Sequence, residues 1–385
     1  MDVFIFSKIL SDKSITDFKK LRYKYPNDFE EFLSILKQLY YTWLPICDFN
    51  GQKLAFLSSA TGINLNTVKL LYAAQPSAYG VHAVEEEILA TSAIENIDFS
   101  RDSVRNILKG LAPKDEEENR ILGLKKGFDF ISDKNNKITA ENIYKLYCMA
   151  IGDFLDDENK LKPGNFYRHD SVYIVSDKIE HSGIHYKKLP DFMDQMIRFA
   201  NEEDNINDLL KAAMLHFYLG YLHPYFDGNG RMARLIHLWF LIQRGYEAAL
   251  FVPFSSYIER SRKAYYNAYS LVEGNYKISG VMDITPFLLY FIENVYDKIG
   301  NDKKPAETLE KYKEALKTGE ITQKESELWT FVLSFYADQP FTTKQLERDF
   351  GNAAYATIRS FVMKFTELGL LSTIKMKNKT LYRIG

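Results

Sequence analysis

Between residues 14 and 45, apolar side chains recur at helical spacing (Phe18, Leu21, Phe29, Phe32, Leu33, Leu36, Leu39, Tyr40), which predicts a helix ending before Pro45. Residues 84 to 97, VEEEILATSAIENI, predict a second helix with Val84, Ile88, Leu89 and Ile94 on its apolar side. Thr139 is placed to cap a third, through Ile143, Leu146, Tyr147 and Ala150, stopping near Gly152. Asp208 to Leu222 is an apolar helix. After a polar, glycine-rich break the pattern turns helical again from Met232 to Arg244, with Gly245 as its C-terminal stop. FLLYFIENVY follows Pro286 as another. Between these helices, Val172, Ile174 and Val175, then DKIEHSG, then Ile184, His185 and Tyr186 predict two short strands with a turn at Ser182-Gly183.

The last third changes character. Residues 300 to 320 are charged and lack an apolar stripe, so they read as a linker with some helix. Beyond Ile321 the order is a helix with Leu328, Phe331, Val332 and Phe335, the segment TTKQLERDFG, and a helix with Ile358, Phe361, Val362 and Phe365. LLSTIKM and TLYRI follow around Lys377-Asn378-Lys379. Three helices and a hairpin is the winged-helix order.

Composition supports a mainly helical protein: 20 glycines and 11 prolines in 385 residues are sparse for turn-rich sandwiches, and 46% hydrophobic content is too high for a disordered chain. The net charge of -2 leaves no chain-wide basic field for nucleic acid or an anionic membrane. Two cysteines, Cys47 and Cys148, fit neither a disulfide framework nor a metal-ligand spacing, and are expected as small buried fillers in a reducing, cytoplasmic setting. No apolar run reaches the roughly 18 residues that a membrane helix needs.

Chemistry concentrates in His223 to Arg234, HPYFDGNGRMAR. Gly228 and Gly230 let backbone N–H groups turn toward an anion, and a helix opening near Asn229 adds its positive end. Arg231 and Arg234, three apart, present two guanidiniums on nearly one face. Asp227 beside such a phosphate cradle calls for a divalent cation such as Mg2+, and His223 is placed to accept a proton. No G-x-x-x-x-G-K-[ST] is present, so this is no P-loop. His216 and His237 lie in apolar helices and read as core residues, and His181 and His185 belong to the hairpin.

The segment resembles the Fic-family motif H-x-F-x-[DE]-G-N-G-R-x-x-R, with Tyr225 in place of the aromatic Phe. The likeness runs from about residue 84 to residue 298 and includes YIVSD and HYKKLP, similar to the family's flap hairpin, then Tyr265-Tyr266 and DITPF. It implies a helical Fic core and transfer of AMP from ATP to a Ser, Thr or Tyr hydroxyl of a target protein. His223 would be the base and Asp227 the Mg2+ ligand. Gly228, Asn229, Gly230, Arg231 and Arg234 would bind phosphates, and Tyr266 would stand near the adenine. Members that phosphorylate carry Lys where this chain has Gly230, which favours AMP transfer. Thr91 to Asn96, TSAIEN, resembles the inhibitory motif [ST]-x-x-x-E-[GN], implying that Glu95 competes with the γ-phosphate for Arg234.

The expected organisation is therefore an N-terminal helical region (1–100) carrying an inhibitory helix (84–97), a catalytic core (101–299), a linker (300–320) and a winged helix (321–385). Arg359, Lys364, Lys375, Lys377, Lys379 and Arg383 give the last unit a basic patch suited to DNA, while winged helices also dock proteins. Two other readings stay open at this level: a DNA-binding regulator whose core only binds nucleotide, and removal of AMP by the same site. A homodimer is also compatible with the sequence.

Overall fold

Pro26 disfavours helical backbone at the residue before it, so the apolar run after residue 14 is not one helix. The computed structural model describes residues 1–385 except 73–80, 177–178, 302, 337–338 and 377–378. In it, α1 (Val3–Leu10) is followed by α2 (Phe18–Lys24) and α3 (Phe29–Ile35), and the chain then straightens into β1 (Tyr41–Cys47). Phe18, Leu21, Phe29, Phe32, Leu33 and Leu36 are buried as their spacing predicts, whereas Leu39 is exposed. β1 pairs antiparallel with β2 (Lys53–Leu57), Tyr41 opposite Leu57 and Cys47 opposite Lys53. The pairing is irregular between Trp43 and Cys47, where Pro45 has no N–H to donate. This hairpin was not expected from the sequence. It is fastened to residues 282–283: Ala55 donates to the Met282 carbonyl at 3.0 Å and Tyr41 to Asp283 at 2.9 Å.

The chain continues through α4 (Leu65–Tyr72), α5 (Val81–Ile94), α6 (Arg101–Leu108), α7 (Glu116–Ser132) and α8 (Ala140–Ala150), the last capped by Thr139 as predicted. Strands β3 (Tyr173–Ser176) and β4 (Ile179–Ser182) form the central hairpin. Its register pairs Tyr173 with Ser182 and Ser176 with Ile179, so Ser182 is paired within a strand rather than placed at a turn with Gly183. The second strand is the IEHS segment, and Ile184 to Tyr186 lie beyond it. Next come α9 (Leu189–Asn201), α10 (Asp208–Leu222), α11 (Asn229–Gln243), α12 (Phe254–Arg260), α13 (Arg262–Ser279), α14 (Thr285–Phe291) and α15 (Asp297–Asn301). Helices α10 and α11 pack on each other and are buried on nearly every face, which is why both read as apolar all round. His216 and His237 lie buried between them and their neighbours, with His216 Nε2 2.8 Å from the Tyr265 hydroxyl. Cys47 and Cys148 are free and half-buried.

Toward the C-terminus, α16 (Lys303–Lys317) runs through the stretch expected as a linker with some helix. Its Tyr312 and Ala315, three apart, are buried in the same cluster as Trp329, Phe361 and Phe365, and the Tyr312 hydroxyl meets Ser326 at 2.7 Å. Then α17 (Gln323–Phe335), α18 (Thr343–Phe350), α19 (Tyr355–Glu367), β5 (Leu371–Met376) and β6 (Lys379–Ile384) follow in the predicted order. Thr322 with Glu325 and Thr342 with Gln345 form capping boxes that start α17 and α18. Phe341 exchanges two 2.8 Å backbone hydrogen bonds with Tyr382, which ties the segment before α18 to the terminal hairpin. Of the expected basic patch, Lys377 lies outside the described residues, and Lys364 is bonded to Glu325 at 2.8 Å rather than facing outward. No helix among the described residues is long and apolar enough to cross a membrane.

Candidate active site

His223 sits at the end of α10 in the left-handed region (φ 53°, ψ 60°), a conformation that costs a non-glycine residue about 1 kcal/mol. It lets the chain leave the helix sharply, so that Pro224 to Gly228 loop back to the start of α11. The ring's Nδ1 is 3.3 Å from the Gly220 carbonyl. A carbonyl only accepts, so that contact needs a proton on Nδ1, and in the neutral ring the lone pair is then on Nε2. Asn229 closes the loop: its Oδ1 accepts from Tyr225 N–H and its Nδ2 donates to the Tyr225 carbonyl, both at 2.9 Å. The side chain thereby ties the loop to the start of α11, where the Asn229 backbone N–H belongs to the first turn.

The two glycines have different reasons. Gly228 caps α11 with φ 82°, and a Cβ there would run into Ile151. Gly230 has ordinary helical backbone, but a Cβ on it would collide with the Glu95 carboxylate. Asp227 is half-exposed; its Oδ1 accepts from Gly228 N–H at 2.5 Å and its Oδ2 lies 3.4 Å from Arg231. Arg231 is largely buried, with its Nε unpaired among the described residues. The ring of Tyr225 is fully buried and stacked on Tyr147 at 3.6 Å between centroids, and its hydroxyl has no partner among the described residues.

Arg234 is buried and held from α5. Its Nε donates to Thr91 Oγ1 at 2.7 Å, and one terminal nitrogen donates to the Thr91 carbonyl at 3.0 Å and to Glu95 Oε1 at 2.6 Å. The other terminal nitrogen is buried without a partner among the described residues. Burial pushes the Glu95 carboxyl up, but the charges of Arg234, Arg231 and Arg262 and the Arg234 hydrogen bond outweigh it, leaving it below its ordinary 4.5. Glu95 is not inside the helix, which ends at Ile94, but at its cap: Ile97 N–H bonds the Ser92 carbonyl and Asn96 N–H the Ala93 carbonyl, both at 3.0 Å, with Asn96 left-handed at φ 59°. That accounts for the Gly-or-Asn position following the glutamate, since those residues tolerate this backbone best.

Other contacts that fix α5 were not singled out from the sequence. Arg262 donates to Asn96 Oδ1 at 2.9 Å and to the Ala93 carbonyl at 3.3 Å. Glu87, fully buried, accepts from the backbone N–H and hydroxyl of Ser255. Glu85 pairs with Arg101 at 2.6 Å and Arg105 at 3.1 Å. Nothing in the local sequence marks these residues, because their partners lie up to 169 positions away. Tyr266, on α13, is 44% exposed and stands beside Arg262, whose guanidinium is 5.9 Å from its ring centre. Its phenol is pushed up, first by burial and then by the Glu95 carboxylate.

Residues 137–241 match the Fic/DOC family. Curated relatives include a protein adenylyltransferase Fic of Drosophila ananassae, 26% identical over 217 residues that cover 54% of this chain and 39% of that protein. Another, of Aedes aegypti, is 26% identical over 252 residues, covering 63% and 44%. The chain thus spans less than half the length of these relatives. Among solved structures, a Fic family protein from Desulfovibrio desulfuricans G20 overlaps 84% of this chain and 97% of its own at 17% identity, with a TM-score of 0.49. The residues that match the Fic/DOC family contain the whole His223 to Arg234 segment.

Proposed function

We propose that this chain transfers AMP from ATP to a hydroxyl of a target protein, releasing pyrophosphate, and that Glu95 restrains the reaction. The observation that carries the reading is the state of Arg234: a buried guanidinium with one nitrogen unpaired and another taken by a carboxylate of the chain itself. Such a donor set is built for an anion, and Glu95 stands in for it.

In the transfer, the target hydroxyl oxygen attacks the α-phosphorus as its proton passes to the Nε2 lone pair of His223. The bond from the α-phosphorus to the bridging oxygen breaks, and pyrophosphate leaves. The start of α11 and Arg231 would hold phosphate oxygens, and Arg234 the γ-phosphate once Glu95 withdraws. Mg2+ fits Asp227, whose half-exposed carboxylate has its Oδ2 held only at 3.4 Å by Arg231. The ion would offset charge on the phosphates. The ring of Tyr266 would border the adenine, and the β3–β4 hairpin would present the target backbone. A charge-assisted contact is worth about 1.5–3 kcal/mol, so Glu95 would repress roughly ten- to a hundredfold.

The test is labelling with α-labelled ATP and Mg2+. Glu95→Gly should label itself or a protein in lysate strongly, and His223→Ala in that background should lose roughly 10²–10⁴ of the rate. Equal labelling by wild type and both variants would overturn the assignment.

A further inference from the structure

Arg168 lies between α8 and the β3–β4 hairpin and is 2% exposed, yet no carboxylate pairs with it among the described residues. Its guanidinium is spent on three backbone carbonyls. Nε donates to the His223 carbonyl at 2.8 Å, one terminal nitrogen donates to Asp170 at 2.6 Å, and the other donates to Ile184. Its own N–H donates to the Pro224 carbonyl at 2.8 Å. A buried guanidinium that gives up water for carbonyls alone is costly unless each bond is made, so this residue fixes the three segments it joins.

Those segments are the chain just before β3, the chain just after β4, and the left-handed turn that carries His223. The space around the guanidinium is kept clear by Gly183: a Cβ there would stand 2.7 Å from an Arg168 nitrogen, 3.0 Å from Val172 and 3.3 Å from the His223 Cβ. On the transfer reading above, on which this inference rests, the hairpin presents the target and His223 takes its proton. We infer that Arg168 is a positioning residue for that step, which holds the backbone of His223 in register with the base of the hairpin. Of the loop it bonds only the His223 and Pro224 carbonyls, neither of which is assigned to phosphate, so its loss should move the base and leave nucleotide affinity alone. A lysine has one ammonium where three directions must be served, and it cannot replace the fork.

The experiment compares Arg168→Lys and Gly183→Ala with their Glu95→Gly parent. AMP transfer at saturating ATP should fall about tenfold to a hundredfold while the KM and Kd for ATP change less than about twofold, because a misplaced base affects the chemical step alone. A proportional loss of ATP affinity, or an unchanged rate, would overturn the inference. A second readout does not depend on turnover. The chain has seven histidines, so the His223 imidazole can be assigned in 15N-histidine spectra by its loss in His223→Ala. In both variants its resonances should shift while those of buried His216 and His237 stay in place. If the Glu95→Gly parent proves inert, the transfer reading fails, and the imidazole signal alone then decides the positioning: an unmoved His223 resonance refutes it. Unfolding by Arg168→Lys would show as movement of all three signals, and Gly183→Ala, which keeps the arginine, then carries the test.

Discussion

A carboxylate oxygen of Glu95 occupies the space in which a Cβ on Gly230 would stand. The absence of a side chain at position 230 is thus required by the contact between Glu95 and Arg234. Gly230→Ala should push the carboxylate off Arg234 and raise AMP transfer over wild type, roughly tenfold if one charge-assisted contact is lost. In a Glu95→Gly background the same alanine finds the space vacated and should give no further rise. The double-mutant cycle therefore predicts strong non-additivity in initial labelling rates. Additive gains would mean that Gly230 acts independently of Glu95.

Glu95 is held by the way α5 ends as well as by Arg234. Arg262 bonds Asn96 and the Ala93 carbonyl, which pins the left-handed residue that follows the glutamate. Arg262→Ala should loosen that cap by about 1 kcal/mol and raise transfer about fivefold, less than Glu95→Gly does. Combined with Glu95→Gly it should add nothing. A rate equal to wild type would show that Arg234 and Glu87 suffice to hold the helix end.

The His223 to Arg234 loop stood out because its chemical groups are contiguous: twelve residues carry the imidazole, the carboxylate, both glycines and both guanidiniums. Glu95 was legible as a pattern, and the geometry supplies the reasons for its outer positions, Thr91 as acceptor for Arg234 and Asn96 as left-handed cap. Arg168 was not, since a lone arginine reads as a solvated surface residue until its carbonyl partners, 55 and 16 positions away, are brought to it. The β1–β2 hairpin was missed because Tyr41 and Leu44, three apart, continue the apolar spacing of the preceding helix, and only Leu44 and Ile46 show the two-residue spacing of a strand. Residues 300 to 320 read only as a linker with some helix because Tyr312 and Ala315 are too few to form a visible stripe.

The pH dependence of repression follows from the Glu95 carboxyl, which Arg234, Arg231 and Arg262 hold below its ordinary 4.5 against the upward push of burial. A depressed acid stabilises the state that depresses it above the ordinary value, and that contribution is lost only as pH falls through the lower folded value. Repression, measured as the rate of Glu95→Gly over wild type, should therefore be flat from about pH 6 to about pH 8, although both rates move with the protonation of the base. A ratio that falls within this range would assign the release to a group other than Glu95.

Tyr225 offers a test of packing apart from chemistry. Its ring stacks on Tyr147 and its backbone is clamped by Asn229, so its place in the loop does not depend on the hydroxyl. That hydroxyl is buried without a partner among the described residues, and burial raises its phenol well above the ordinary value. A buried donor left unsatisfied costs about 1–3 kcal/mol. Tyr225→Phe, which restores the aromatic of the family motif, should stabilise the protein by about 1 kcal/mol, an upward shift of about 2 °C in the thermal midpoint. AMP transfer by the same substitution in the Glu95→Gly background should be unchanged, because the ring and the loop stay where they are. A drop in the midpoint would reveal that the hydroxyl is bonded in solution, and a drop in rate at constant midpoint would give it a part in placing His223.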